Sequence, residues 1–284
     1  MQRRRTVVVT GGSSGIGLSA AVALARSGDE VILLGRHPGR LARAVDAVRD
    51  AGGETPPAYR ADFTVLDEVR AVGARIAAEH ERIDVLANNA GQLAPAHRRT
   101  VDGHDPTMQS NHLAGFLLTH LLLDRLRAAA VDAPARVVTT SSVAEVWGWL
   151  DVEHPGRAPS RWLPSRWLAY GSSKQANILF TVEAARRWAS LGIVATSYFP
   201  GLIQSRFGST SPLFSIAKVM PVLFRSPEQG ADTLVWLAHD PAASTPGVHY
   251  AFRRPFPASP RATDVTRARR LWLTSLAAVG LPPP

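Results

Sequence analysis

The sequence predicts an α/β protein: one doubly wound parallel sheet of about seven strands with helices on both faces. Three observations carry that prediction. Short β-branched or apolar runs alternate along the chain with helical stretches. The first run ends in a glycine-rich turn that opens directly into a helix. No internal repeat or long disordered linker interrupts the 284 residues, so 1–284 reads as a single domain.

The elements follow in order. Thr6-Val7-Val8-Val9-Thr10 is β-branched throughout, which suits a strand buried in a sheet. Gly11-Gly12-Ser13-Ser14-Gly15-Ile16-Gly17 comes next, and residues 18–26 are Ala/Leu-rich and helical. Glycines there let the backbone turn tightly and approach a ligand, while the helix N-terminus offers free N–H groups to a phosphate. An ordinary strand-to-helix turn would also use glycine. Further strands are expected near 30–34, 57–61, 83–87, 136–141, 193–198 and 247–251. Ala169-Tyr170-Gly171-Ser172-Ser173-Lys174 lies in a helical stretch, and another helix begins near Ser226-Pro227-Glu228.

Composition narrows the function classes. A hydrophobic content of 45% is enough for a large core. The longest apolar run, 113–123, is interrupted by Thr119 and His120 and is too short to span a bilayer. Arg3-Arg4-Arg5 precedes only the first strand, so no signal peptide is expected. With no cysteine the chain lacks disulfides and thiolate ligands, and its nine histidines form no ligand motif; no metal is expected. These features agree with a cytoplasmic location. The net charge of +9 could serve nucleic acid, but the arginines are scattered instead of forming a stripe with aromatics. No nucleic-acid partner is expected. Abundant Ala, Gly, Pro and Arg point to a GC-rich, bacterial coding bias.

Tyr170 and Lys174 are four residues apart, so on a helix the phenol and the ammonium share one face. A cation beside a phenol favours the phenolate, which would make Tyr170 a general acid/base. Only two of the 32 basic residues are lysines, Lys174 and Lys218, so position 174 takes the rarer, compact cation. Alone, such a pair also occurs as a solvated surface contact.

Other motifs stand in order around this pair. Thr10-Gly11 leads to Gly15-Ile16-Gly17; Asn88-Asn89-Ala90-Gly91 follows the fourth strand; Asn111 sits in Gln109-Ser110-Asn111-His112-Leu113. Ser141-Ser142 closes the fifth strand and Pro200-Gly201 follows the sixth. Together they resemble the short-chain dehydrogenase/reductase family over nearly the whole chain. The resemblance implies a single-domain Rossmann fold and a nicotinamide cofactor. It implies Asn111, Ser142, Tyr170 and Lys174 as the catalytic residues. It implies cofactor contacts at Gly11, Ser13, Ser14, Gly15, Ile16, Gly17, Asn88, Ala90, Gly91, Tyr170 and Lys174. Further contacts are implied at Pro200, Gly201, Ile203 and Ser205, which stands where many relatives have Thr. Asp62, with Phe63 beside it, resembles the family's adenine contact.

Three segments are similar to those of retinol dehydrogenases and the WW-domain oxidoreductase. They are Asn111-His112-Leu113-Ala114-Gly115-Phe116-Leu117-Leu118-Thr119, Ser173-Lys174-Gln175-Ala176-Asn177-Ile178-Leu179-Phe180-Thr181 and Ala268-Arg269-Arg270-Leu271-Trp272. No WW module is expected ahead of the first strand. The light-dependent protochlorophyllide reductases share the architecture but rely on a cysteine, which this chain lacks.

Cofactor choice is read at the end of the second strand, Leu34-Gly35-Arg36-His37. A carboxylate there favours NAD, and an arginine favours the 2′-phosphate of NADP. Gly35 fills the carboxylate position and Arg36 follows, so NADP(H) is expected over NAD(H), with Arg40 assisting.

Two segments exceed a minimal version of the fold. The insertion 143–168 sets Ser142 and Tyr170 28 positions apart and holds Trp147, Trp149, Trp162 and Trp167. The segment 205–225 corresponds to the family's substrate lid and is apolar. Both should lie over the carboxyl ends of the strands, either as a roof for a bulky substrate or as anchored loops with an oligomer contact. Residues 261–284 form a C-terminal helix and tail.

In the mechanism the resemblance implies, Tyr170 moves the proton, Ser142 stabilises the reacting oxygen, and Lys174 holds the ribose and lowers the tyrosine pKa. Asn111 carries a water that links Lys174 to solvent; His112 beside it packs, and Ser141 faces the sheet. Three functions are weighed. The first is an NADP(H)-dependent reductase of a ketone or aldehyde in a largely apolar small molecule, placed in bacterial secondary metabolism. The second is a catalytically silent NADP-binding regulator, against which the intact relay counts. The third is a membrane-peripheral reductase of lipid- or retinoid-like substrates, suggested by the lid, the tail Leu271-Trp272-Leu273 and the charge. A homo-oligomer is compatible with all three.

Overall fold

The computed structural model describes residues 4–95, 98–157, 166–203, 224–243 and 245–283. In β1 (Thr6–Thr10) successive side chains point to opposite faces, so one strand feeds two cores. Val8 joins one core, together with Ile32, Leu86 and Val137; Val7 and Val9 join the other, with Val31, Leu33, Val85 and Val138. Near-continuous apolar strands are what a sheet covered on both faces requires.

The remaining strands are β2 (Glu30–Gly35), β3 (Ala58–Arg60), β4 (Val85–Asn88), β5 (Ala135–Thr140), β6 (Ile193–Phe199), β7 (His249–Ala251) and β8 (Arg254–Pro255). The sheet runs β3-β2-β1-β4-β5-β6-β7-β8. All pairs through β7 are parallel, as expected; β7 and β8 are antiparallel. The expected seven strands therefore become eight. Phe252 and Arg253 both adopt positive φ, 54° and 60°, and turn the chain back as a two-residue hairpin without glycine. The Arg253 guanidinium is paired to Asp232, and the Arg225 guanidinium lies 4.7 Å over the Phe252 ring. These contacts hold a turn that its residue types disfavour.

The helices are α1 (Gly15–Arg26), α2 (Pro38–Gly52), α3 (Leu66–Glu79), α4 (Pro106–Met108), α5 (Ala114–Leu121), α6 (Leu123–Ala129), α7 (Arg166–Trp188), α8 (Pro227–His239), α9 (Pro260–Thr263) and α10 (Val265–Ala278). A π-helical turn, Gln109–Leu113, joins α4 to α5. α1, α2 and α8 cover one face through Leu24, Leu41, Val48, Leu234 and Leu237. α3, α5, α6, α7 and α10 cover the other through Val69, Ile76, Leu117, Phe180 and Trp272.

Strand order reverses between β1 and β4, which opens a crevice at their carboxyl ends. The glycine turn leaves β1 at that point, and Asn88-Asn89-Ala90-Gly91 leaves β4 beside it. Leu271 and Trp272 are buried, only 1% and 4% exposed. Leu273, 37% exposed, is the one residue of Leu271-Trp272-Leu273 turned to solvent. Among the described residues, no helix is long and apolar enough to cross one.

Candidate active site

Thr140, Ser141 and Ser142 end β5, and α7 crosses behind them. The Ser141 hydroxyl donates to the Lys174 carbonyl at 2.8 Å, so it pins α7 to the sheet, as expected of the serine that faces inward. Ser142 caps the 3₁₀ turn Val143–Trp147, its Oγ accepting from the Ala144 N–H at 3.2 Å. The same Ser142 side chain is hydrogen-bonded to the Tyr170 hydroxyl. Gly148 and Gly171 let the turn reach the helix: a Cβ on Gly148 would lie 2.7 Å from the Gly171 oxygen.

Lys174 is 4% exposed; its Nζ donates to the Thr140 carbonyl at 3.0 Å and lies 5.4 Å from the Tyr170 ring centroid. Burial pushes the ammonium down to about 8. Tyr170 is half-buried by area, but its hydroxyl end is enclosed, and burial pushes it up to about 12 against the opposing effect of the Ser142 bond. The phenol is therefore raised by desolvation instead of being lowered as the neighbouring lysine led one to expect. Tyr170 is a neutral phenol at neutral pH, the form that gives a proton away.

Asn111 lies on the π-helical turn, a local widening that often marks functional sites. Its Oδ1 accepts from the Gln92 N–H at 2.7 Å, and its Nδ2 donates to the Gln92 carbonyl at 3.1 Å and to Ser173 Oγ at 2.9 Å. Gly91 separates Asn111 from Lys174: a Cβ there would be 3.1 Å from Asn111 Oδ1 and 3.8 Å from Lys174 Nζ. His112 is buried and held at about 4 by desolvation, neutral at neutral pH.

The crevice suits a dinucleotide. Gly11 and Gly15 have φ of +66° and +55°, and a Cβ on Gly15 would meet nothing within 4 Å. Ser14 caps α1 in an extended conformation with no side-chain cap bond, which leaves first-turn N–H groups to an anion. A Cβ on Gly17 would be 2.4 Å from the Gly11 oxygen, so the turn closes on itself. Ser13 Oγ would sit 2.8 Å from a Cβ on Gly35, and Ile16 packs near Gly230 and Ile203.

Arg36 is exposed at the end of β2, its Nη1 3.7 Å from Asp62 Oδ2. Asp62 is otherwise engaged by the Thr64 N–H and hydroxyl, at 2.9 and 2.8 Å, and Phe63 is buried beside it. Arg40 donates its N–H to His37, and its buried Nε has no hydrogen-bond partner in the structure. Gly201 has φ +94°, and Ile203 bridges to Arg225, closing the base of the segment between them. Ser205, Phe214, most of the lid and Trp162 lie outside the described residues.

Asn88 points elsewhere. Its Nδ2 donates to Thr119 on α5 at 2.9 Å, so only its backbone can face the crevice. The braces that sequence reasoning missed are Thr10 and Asn89. Thr10 Oγ1 donates to the Ala87 carbonyl at 3.0 Å and accepts the N–H of Asn89 and Ala90, both at 2.9 Å. Asn89 Nδ2 returns a bond to the Thr10 carbonyl at 3.0 Å. Together they lock the two loops of the crevice; doubled Asn beside a Thr-Gly turn was the available signal.

Of the insertion's tryptophans, Trp147 and Trp149 are 65% and 68% exposed, while Trp167 meets Tyr170 edge-on at 6.1 Å. Leu150 anchors the segment in a small core with Met108, Leu179 and Leu271. Glu145, buried, accepts from the Ser259 N–H and hydroxyl at 2.8 and 2.6 Å. Among the described residues no cluster of potential metal ligands occurs.

The sequence profile of short chain dehydrogenases matches residues 5–154. DnrU of Streptomyces sp. (strain C5), provisionally named a daunorubicin C-13 ketoreductase, is 44% identical over 97% of this chain and 93% of its own. Human retinol dehydrogenase 13 is 35% identical over 99% of this chain and 86% of its own. Among solved structures, the Pseudomonas aeruginosa RhlG/NADP active-site complex superposes with a TM-score of 0.70 at 27% identity, covering 86% of this chain and 93% of that one.

Proposed function

The chain belongs to the short-chain dehydrogenase family, and from that premise we propose an NADP(H)-dependent reductase of a ketone or aldehyde in a largely apolar molecule. The oxidoreductase class, acting on CH–OH or C=O, comes with the family and its named relatives. One observation carries the finer reading: a neutral Tyr170 phenol bonded to Ser142, with a buried cation 5.4 Å from its ring. A bound nicotinamide would supply or accept the hydride. Tyr170 then gives its proton to the carbonyl oxygen, and Ser142 donates a hydrogen bond to that oxygen as charge develops on it. Lys174 holds the ribose and offsets charge on the tyrosine oxygen. Asn111 keeps the Gln92 loop and Ser173 in place beside the lysine.

NADP(H) over NAD(H) is supported by Arg36 at the β2 tip and by the RhlG relative, an NADP complex. The reducing direction and a role in bacterial secondary metabolism are supported by the likeness to DnrU. The apolar substrate is supported by the exposed Trp147 and Trp149 beside the Ser142 turn. Retinol dehydrogenase 13 favours a second reading, oxidation or reduction of a retinoid-like alcohol or aldehyde at the same residues.

Fluorescence titration with NADPH and NADH tests the cofactor, and an NADPH-oxidation screen of aromatic ketones, quinones, retinal and long-chain aldehydes tests the substrate. Arg36→Asp should weaken NADPH roughly 10–100-fold and NADH less than about threefold, since a charge-assisted bond to phosphate is lost. Wild-type protein that prefers NADH would overturn the assignment.

A further inference from the structure

The Thr140 carbonyl that receives the Lys174 ammonium also receives a second donor. Asn177, one turn along α7, places its Nδ2 3.0 Å from the same oxygen. A carbonyl only accepts, so the Asn177 amide must present its nitrogen there and its oxygen on the other side. That oxygen faces His112, which is hydrogen-bonded to Asn177. His112 must therefore donate to it. Its Nε2 lies 3.0 Å from Ser275 Oγ on α10, so Nδ1 carries the proton and Nε2 accepts from the Ser275 hydroxyl.

The bonds thus run in one direction: Ser275 to His112 to Asn177 to the Thr140 carbonyl, where Lys174 is held. Every member is buried: Ser275 0%, His112 3%, Asn177 2%, Thr140 7% and Lys174 4% exposed. An unmet polar group at any step would be costly in such surroundings. Phe116 and Phe180 flank His112, their ring centroids 6.0 and 6.4 Å from that of the imidazole. The π-helical turn makes the arrangement feasible. It presents Asn111 to Gln92 and Ser173 and the next residue, His112, to Asn177 and α10.

We propose that Asn177 and His112 are positioning residues for Lys174, fixing the carbonyl that aims its ammonium and tying it to Ser275 of the C-terminal helix. The role of Lys174 rests on the reductase reading; the wiring does not. His112 acts by offering a donor and an acceptor at set positions, never by changing charge.

Glutamine offers the same pair of functions without titrating, and leucine offers neither. The test compares Asn177→Leu, His112→Leu, His112→Gln and Ser275→Ala by three readouts. The first is the lysine Cε resonance of ¹³C-labelled cofactor-free protein, which has only two lysines. The second is NADPH affinity, and the third is kcat and KM with an aryl alkyl ketone. Both leucine variants should move the Lys174 resonance, weaken NADPH about fivefold and lower kcat about tenfold, with ketone KM within about twofold. His112→Gln should stay within about twofold of wild type throughout.

A His112→Leu protein that matches wild type makes His112 a packing residue and overturns the proposal. So does a His112→Gln protein as poor as the leucine variant, which would indicate a titrating histidine. If the leucine variants fail to fold, Ser275→Ala decides, since it removes one hydroxyl; an unmoved Lys174 resonance would then sink the wiring. A wild type that binds NADPH but reduces no carbonyl sinks the reductase reading alone, and the resonance still judges the wiring.

Discussion

The floor and the rim of the active site are held by different means. On the floor, Lys174, Asn111, Ser141 and Asn177 are 5% exposed or less, and each makes a directed bond within 3.1 Å. On the rim, Trp147 and Trp149 stand 65% and 68% exposed, 5 and 7 residues beyond Ser142. The Trp149 N–H donates to Ser172 Oγ at 2.9 Å, which ties the backbone of the rim to α7. The floor specifies a reaction, and chemistry tolerates little displacement there. In the proposed function the rim meets the substrate, and large rigid side chains on a short turn can be exchanged without disturbing what lies beneath.

The largest effect should come from the floor. Tyr170→Phe keeps the ring and removes the proton, so kcat should fall by roughly 10²–10⁴-fold while NADPH affinity stays within about twofold. Near-wild-type turnover in that variant would remove the distinction between floor and rim altogether.

A smaller effect is expected from pH. Lys174 is held at about 8 by burial, so its ammonium is complete below that pH and is lost as pH rises through it. Tyr170, at about 12, does not titrate in this range. The kcat/KM for NADPH should therefore be level near pH 6–7 and fall about tenfold per unit above about pH 8. A profile flat to pH 10 would mean that the charge on Lys174 is not used.

The smallest effect belongs to the rim. Trp147→Ala and Trp149→Ala should raise KM for a bulky aromatic ketone about three- to tenfold, leave a small ketone unchanged, and alter stability by less than about 0.5 kcal/mol. Trp272→Ala supplies the contrast. Trp272 is 4% exposed and lies within 6 Å of Phe116, Phe180 and Trp188, so its loss should cost ~3–5 kcal/mol and change no substrate ranking. If Trp147→Ala behaves like Trp272→Ala, the rim is structure and not a recognition surface.

The same division governs what the sequence discloses. The parallel sheet is legible because β-branched runs and intervening helices leave a period that any reader can count, as in Thr6-Val7-Val8-Val9-Thr10. Tyr170 and Lys174 are legible because four residues on a helix is a local rule. The β8 hairpin is hidden because Phe252 and Arg253 adopt a conformation their types disfavour, and distant partners, Asp232, Thr233, Arg225 and Phe199, hold them there. The bond from Thr10 to Asn89 and the line from Ser275 to Asn177 are hidden for a different reason. They join residues 79 and 98 positions apart, and no local period reports on such pairs. The upward shift of Tyr170 was equally out of reach, because a neighbouring cation is visible in a sequence and the depth of burial is not.

The π-helical turn at Gln109–Leu113 has a consequence for how this helix can change length. A π turn is a helix carrying one surplus residue. Deleting Leu113 would restore an ordinary helix and swing everything on one side of the cut by about 100° relative to the other. α5 is locked into the core by Phe116, Leu117 and Leu118, so α4 and Asn111 would have to do the turning. The shortened chain would keep its helix, and would lose the register that turns Asn111 and His112 toward different partners. For this enzyme the smallest possible deletion is thus a change of reading frame in three dimensions.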